Sequence, residues 1–159
     1  MYSKIVIDYT KCTGCRTCET VCSLNKWGEC NPERAAIRNI RTEKSGLIST
    51  IPVLCQQCET AFCQAVCPVN AISRNEKTGA LVVNEEICLG CRRCEYSCPF
   101  GGVSVDVVRG VSVKCDLCGG DPLCVKMCSK DAIKFVEAEK ISVILKRKGI
   151  EKYLTLQQI

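Results

Sequence analysis

Cys55-x2-Cys58-x4-Cys63-x3-Cys67-Pro68 is followed, after 20 residues, by Cys88-x2-Cys91-x2-Cys94-x3-Cys98-Pro99. Three cysteines crowded into one loop can hold three corners of an iron–sulfur cube. The fourth in each group comes three residues later, before a proline, and is aimed away from its own loop. Zinc is the competing use of clustered cysteines, but zinc ribbons usually offer two thiolates per loop, not three with a fourth that leaves.

In two-cluster bacterial ferredoxins this spacing sends the fourth thiolate to the neighbouring cluster. On that rule Cys55, Cys58, Cys63 and Cys98 are expected to share one [4Fe–4S] cluster, and Cys67, Cys88, Cys91 and Cys94 a second. Two further groups flank this pair. Cys12-x2-Cys15-x2-Cys18-x3-Cys22 repeats the group at Cys88 with a constant offset of 76 residues, and Gly14, Arg16 and Glu19 recur as Gly90, Arg92 and Glu95. Cys115-x2-Cys118-x5-Cys124-x3-Cys128 repeats the group at Cys55 with one extra residue, and Ala71-Ile72 recurs as Ala132-Ile133. The chain therefore contains each half of such a module twice.

The strands suggest how the halves combine. Residues 71–74 and 80–83 flank Asn75-Glu76-Lys77-Thr78-Gly79, which has the chemistry of a hairpin turn. The equivalent strands of the other copy are far apart, at Ile5 to Ile7 and Ile133 to Val136. Pairing them would make one module from the first and fourth groups, with the second inserted inside it. Cys12, Cys15, Cys18 and Cys128 would then hold a third cluster, and Cys22, Cys115, Cys118 and Cys124 a fourth. Pairing group one with two and three with four would leave both distant strands without hairpin partners. The expected fold is α+β: two ferredoxin-like modules, one nested in the other, with short hairpins and short helices. The outer module takes residues 1–54 and 100–138, the inserted module 55–99, and a C-terminal extension 139–159. Residues 36–41 and 47–53 read as strands covering the outer module, and 103–107 with 111–113 as another hairpin.

Composition narrows the function classes. The chain of 159 residues has 17 cysteines, no histidine and only 5% aromatics. Without histidine there is no Rieske centre, no histidine-ligated haem and no His general base. So thin an organic core makes metal the expected staple of the fold, with an apo chain largely unfolded. The tight spacings and odd cysteine total argue against a disulfide scaffold. The formal charge is +5. Sixteen ligating thiolates and four oxidised cores of about +2 each would bring the holoprotein to about −3, so the basic excess does not imply nucleic acid. No signal-like or membrane-spanning run is evident, and a cytoplasmic location without direct membrane insertion is expected.

Several features invite stronger readings. Cys30, outside every group, fits a small buried residue better than a ligand, and Trp27 fits ordinary packing. Gly101-Gly102 and Gly119-Gly120 are too short for a phosphate loop. Cys15-x2-Cys18-x3-Cys22 reverses the gaps of a radical-SAM loop. Ser23 and Ser129 stand after Cys22 and Cys128 where the inner groups have proline, so the outer sites are expected to differ in potential or lability.

Four groups in this order resemble the four-cluster electron-transfer subunits of molybdenum and tungsten oxidoreductases and of some hydrogenases, over residues 1–138. Glu29-Cys30-Asn31-Pro32-Glu33-Arg34-Ala35-Ala36-Ile37 resembles that family's Glu-Phe-Asn-Pro-x-Arg-Ser-x-Ile stretch, with Cys30 replacing the aromatic. The short chain is most similar to the small iron–sulfur subunits of aldehyde oxidoreductase-family tungsten enzymes, including tungsten benzoyl-CoA reductase complexes. The resemblance implies a non-catalytic redox subunit that relays electrons through four [4Fe–4S] clusters. Its partner would be a larger pterin enzyme, with a further redox subunit or ferredoxin as a possible third component. It also implies that groups one and four share ligands. A free polyferredoxin or a hydrogenase-associated subunit is the alternative. The basic tail after residue 139 reads either as a solvated extension or as a docking arm.

Overall fold

Four small apolar strand starts organise the chain. Each follows the last cysteine of a group: Ala36-Ile37, Ala71-Ile72, Gly102-Val103 and Ala132-Ile133. All eight residues are buried. In the computed structural model, which describes residues 2–144 and 146, each begins one arm of a two-stranded antiparallel sheet. The strands are β1 (Ser3–Ile7), β2 (Ile37–Lys44), β3 (Leu47–Leu54), β4 (Ile72–Arg74), β5 (Leu81–Val83), β6 (Val103–Asp106), β7 (Val111–Lys114) and β8 (Ile133–Glu137). They pair β2 with β3, β4 with β5, β6 with β7, and β8 with β1.

The second arm of every pair leads into the next cysteine group. Leu54 and Lys114 directly precede Cys55 and Cys115, whereas Ile7 and Val83 lie five residues before Cys12 and Cys88. The β1–β8 pair closes this cycle across the sequence, with Ile5 opposite Phe135 and Ile7 opposite Ile133. This is the long-range pairing expected from the separated half-hairpins. The other three hairpins also lie where the strand patterns placed them, within a few residues at their ends.

Helices are few. α1 (Thr17–Trp27) has 11 residues, while α2 (Phe62–Ala65), α3 (Arg93–Tyr96) and α4 (Leu123–Lys126) are single turns. The length of α1 explains one missing proline. Ser23 lies inside the helix, fully buried; its hydroxyl donates to the Thr20 carbonyl and accepts from the Asn31 amide. A proline there would lack the helical N–H and crowd the preceding turn. In the inner groups, Pro68 and Pro99 follow turns that stop.

Two buried clusters fill the interior. Ile5, Ile37, Leu54, Ala80, Leu117 and Ile133 pack with Cys18 and Cys124 in one; Ala61, Ile72, Leu81 and Val103 pack with Cys63 and Cys94 in the other. Cysteines are thus core residues here, as the low aromatic content requires. Trp27 is a packing residue: its indole N–H donates to the Arg34 carbonyl, and the Arg34 guanidinium lies 4.5 Å from the ring centroid. Cys30 is exposed, against the expected burial. Residues 138–144 are helical; the rest of the basic tail, except Lys146, lies outside the described residues.

Candidate metal centres

All 17 cysteines are free thiols, so no disulfide framework exists. Their backbones place them in sets of four. Cys12, Cys15, Cys18 and Cys128 line one recess. Cys67, Cys88, Cys91 and Cys94 line a second, and Cys22, Cys115, Cys118 and Cys124 a third. Three recesses, each with four thiols, three from one loop and one from another, point to one kind of occupant. Cys55, Cys58, Cys63 and Cys98 are also neighbours: Cys58 and Cys98 pack on the core around Cys63, which lies within the electrostatic reach of Cys55 and Cys98. Every recess draws its terminal cysteine from a different group.

The local backbone makes this exchange possible. Asn70, Gly101 and Asp131 occupy the third position after Cys67, Cys98 and Cys128, and all have positive φ, between 50° and 62°. Asn and Asp tolerate this left-handed conformation better than most residues. In the inner groups the bend turns the next amide back onto the sulfur: Ala71 N donates to Cys67 Sγ at 3.2 Å, and Gly102 N to Cys98 Sγ at 3.3 Å. Gly102 must be small, since a Cβ there would lie 2.6 Å from Cys55 Cα. After Cys22 the chain makes a longer excursion through α1, and Ala36 N returns to donate to Cys22 Sγ at 3.3 Å.

Side chains complete these surroundings, and spacing alone did not reveal them. Asn39 of β2 donates through Nδ2 to Cys18 Sγ at 3.2 Å. Ser112 of β7 lies 3.1 Å from Cys94 Sγ through its hydroxyl, and its amide donates to Cys88 Sγ at 3.4 Å. Glu19, fully buried, accepts from Asn39 N and Arg16 Nε, both at 2.6 Å, and so ties the first loop to its covering strand. Lys26 donates to Asp116 at 2.7 Å beside Cys115.

The electrostatics fit ligation. Burial raises the Cys115 thiol strongly and, with the neighbouring Cys22, Cys118 and Cys18, pushes Cys124 up to about 12. Lone thiolates would be costly there; a cationic core that takes up their charge removes the penalty. By contrast, the Thr17 hydroxyl and amide hold the exposed Cys15 below its usual value. Zinc would need its ligands gathered about one ion at about 2.3 Å. Among the described residues, no three Cys, Asp or Glu side chains gather in that way. Three thiols from one loop with a fourth from another suit a cube whose corners are metal atoms. Nor is any helix among the described residues long and apolar enough to cross a membrane.

Known proteins agree with this chemistry. A family described as "4Fe-4S dicluster domain" matches residues 47–138, and a "4Fe-4S binding domain" matches residues 5–23. The chain is 43% identical over 135 residues to a Pyrococcus furiosus protein named "Aliphatic sulfonate oxidoreductase, polyferredoxin-like subunit", covering 83% of this chain and 76% of that one. It is 40% identical to the Escherichia coli "Putative electron transport protein YsaA" (86% and 91% covered) and 33% identical to the Escherichia coli "Formate hydrogenlyase subunit 2" (91% and 86% covered). Among solved structures, the BamBC active-site complex of benzoyl-CoA reductase with benzoyl-CoA matches 96% of this chain and 89% of its own at 26% identity, with a TM-score of 0.47. With its fold, its cysteine sets and these relatives together, the chain belongs to the 4Fe-4S dicluster domain family and binds [4Fe–4S] clusters.

Proposed function

We propose that the chain is the electron-transfer subunit of a larger oxidoreductase, relaying electrons through four [4Fe–4S] clusters in series. The ligand sets are Cys12, Cys15, Cys18 and Cys128; Cys22, Cys115, Cys118 and Cys124; Cys55, Cys58, Cys63 and Cys98; and Cys67, Cys88, Cys91 and Cys94. The observation that carries this reading is the order in which the sets touch. Cys18 and Cys124 share one buried cluster, Gln57 bonds both Cys55 Sγ and the Cys115 carbonyl, and Cys63 and Cys94 share the other cluster. Those contacts join the sets into one line, with exposed Cys15 in the first and exposed Cys91 in the last. Clusters supply one-electron redox chemistry when bound; the protein holds the thiolates, excludes water and donates hydrogen bonds to sulfur.

The domain division follows the same logic. Residues 1–54 and 100–138 make the outer module around an inserted module at 55–99, with β1–β8 restoring the hairpin that insertion divided. The chain is non-catalytic, because each cluster has four protein thiolates and no iron is left open to substrate. Its partner is a larger catalytic subunit of the tungsten or molybdenum pterin type, and both work in the cytoplasm. Relatives named as oxidoreductase subunits support the broad assignment; the sequence resemblance supports the pterin class.

Anaerobic native purification tests the reading. About sixteen iron and sixteen sulfide per chain are expected, with a larger subunit co-eluting. An iron count near half that value would remove two clusters from the line. Recovery of the loaded chain alone, at every purification step, would favour a free polyferredoxin.

A further inference from the structure

Lys114 is the last residue of β7 and only 3% exposed. Its ammonium donates to Cys55 Sγ at 3.3 Å and to the Leu81 carbonyl at 3.5 Å. Among the described residues it has no carboxylate partner. Burying an ammonium is expensive unless an anion compensates it. Here the nearest compensating group is the sulfur of Cys55, which Lys114 touches directly.

Gln57 locks the same place. It is 2% exposed, its amide donates to Cys55 Sγ at 3.5 Å, and its side chain bridges the Cys115 carbonyl at 2.7 Å and the Leu81 amide at 2.8 Å. Both side chains hold the backbone of Leu81, Gln57 at its amide and Lys114 at its carbonyl. The lysine sits where the second and fourth cysteine groups meet, with its charge aimed at the second.

A cube with four thiolates is anionic, and each added electron makes it more so. A fixed cation at hydrogen-bond distance from one ligand favours the reduced form most. From this geometry we infer that Lys114 is a positioning residue for electron flow: it raises the potential of the cluster held by Cys55, Cys58, Cys63 and Cys98 relative to its neighbours. This rests on the ligand sets proposed above.

Redox titration of the purified holoprotein, followed by electron paramagnetic resonance, tests it with Lys114→Met, Lys114→Gln and Lys114→Arg. Both neutral variants should move one couple downward by at least tenfold in the reduced-to-oxidised ratio at fixed potential, about 59 mV for one electron. Other couples should stay within about twofold, and Lys114→Arg should stay near wild type. Unchanged potentials in a fully loaded neutral variant, or an equal shift in Lys114→Arg, would overturn the inference. If only the neutral variants lose iron, the charge holds the cluster instead of tuning it, and the inference is overturned. Loss in all three would reduce Lys114 to packing and overturn it. A wild-type protein without the expected iron would instead refute the functional reading itself.

Discussion

The loops at Cys12–Cys22 and Cys88–Cys98 share their spacing, their Gly-Cys-Arg core and even their backbone. Arg16 and Arg92 both have φ of 62°, and Gly14 and Gly90 are both left-handed. Their covers differ. Over the first loop lies the β2–β3 hairpin, where Asn39 reaches Cys18; over the other lies β6–β7, where Ser112 reaches Cys94. Cys18 and Cys94 occupy the same place in the repeat, yet one is served by an amide from a first strand and the other by a hydroxyl from a second. The ligand geometry is inherited with the loop, whereas the sulfur's surroundings come from whatever hairpin the fold lays across it.

The harshest challenge to treating the loops as equals is to remove their metal. Chelation under anaerobic conditions should abolish native near-UV dichroism of the whole chain, because thiolates make up so much of the core; dispersed, native-like spectra after iron loss would contradict this. Cys18→Ala and Cys94→Ala should each lower the iron content by about four per chain. A loss confined to one variant would break the equivalence.

The matched glycines sharpen the comparison. A Cβ on Gly90 would meet the Gly110 carbonyl oxygen at 2.1 Å, whereas one on Gly14 would meet the Thr50 hydroxyl at 2.7 Å. Backbone cannot step aside as a threonine side chain can. Gly90→Ala should destabilise by about 3 kcal/mol or more, and Gly14→Ala by about 1–2 kcal/mol. The temperature of cluster bleaching, read by visible absorbance, measures both; equal losses would show that the two covers yield alike.

The covers also differ in their acid response. Asp106, at the end of β6, is buried; despite that penalty, the Arg34 guanidinium and the Val108 amide hold its carboxyl below the usual value. A depressed folded pKa stabilises in full above the ordinary carboxylate pKa of about 3.9, and the benefit disappears as pH falls through the lower folded value. Arg34→Met should therefore lower stability at neutral pH, with the gap to wild type narrowing on acidification. A gap constant with pH would assign Arg34 to packing on Trp27 alone. The smallest effect belongs to the sulfur donors: Asn39→Leu and Ser112→Ala should each lower one cluster potential by about 1 kcal/mol, ~40 mV for one electron, measured by redox titration.

Much of this was legible beforehand because it is local. Cysteine spacing, the Asn75–Gly79 turn and the 76-residue offset identify the loops, the hairpins and their repetition without reference to distant residues. The 11-residue α1 was not foreseen, since cysteine spacing hides its helical period and Ser23 marks its continuation only by the absence of proline. Asn39, Ser112, Gln57 and Lys114 carried no motif. Each acts on a sulfur or carbonyl between 18 and 59 residues away.

The order of residues alone determined the kind of metal chemistry and the four loops that perform it, because three thiols in one short loop can reach the corners of a cube wherever that loop lies. Only the tertiary structure decided how the recesses line up and which polar groups touch each sulfur. Those outcomes depend on strands that meet across the chain, as β1 and β8 do, and on the burial of charges such as Lys114 that no local pattern specifies.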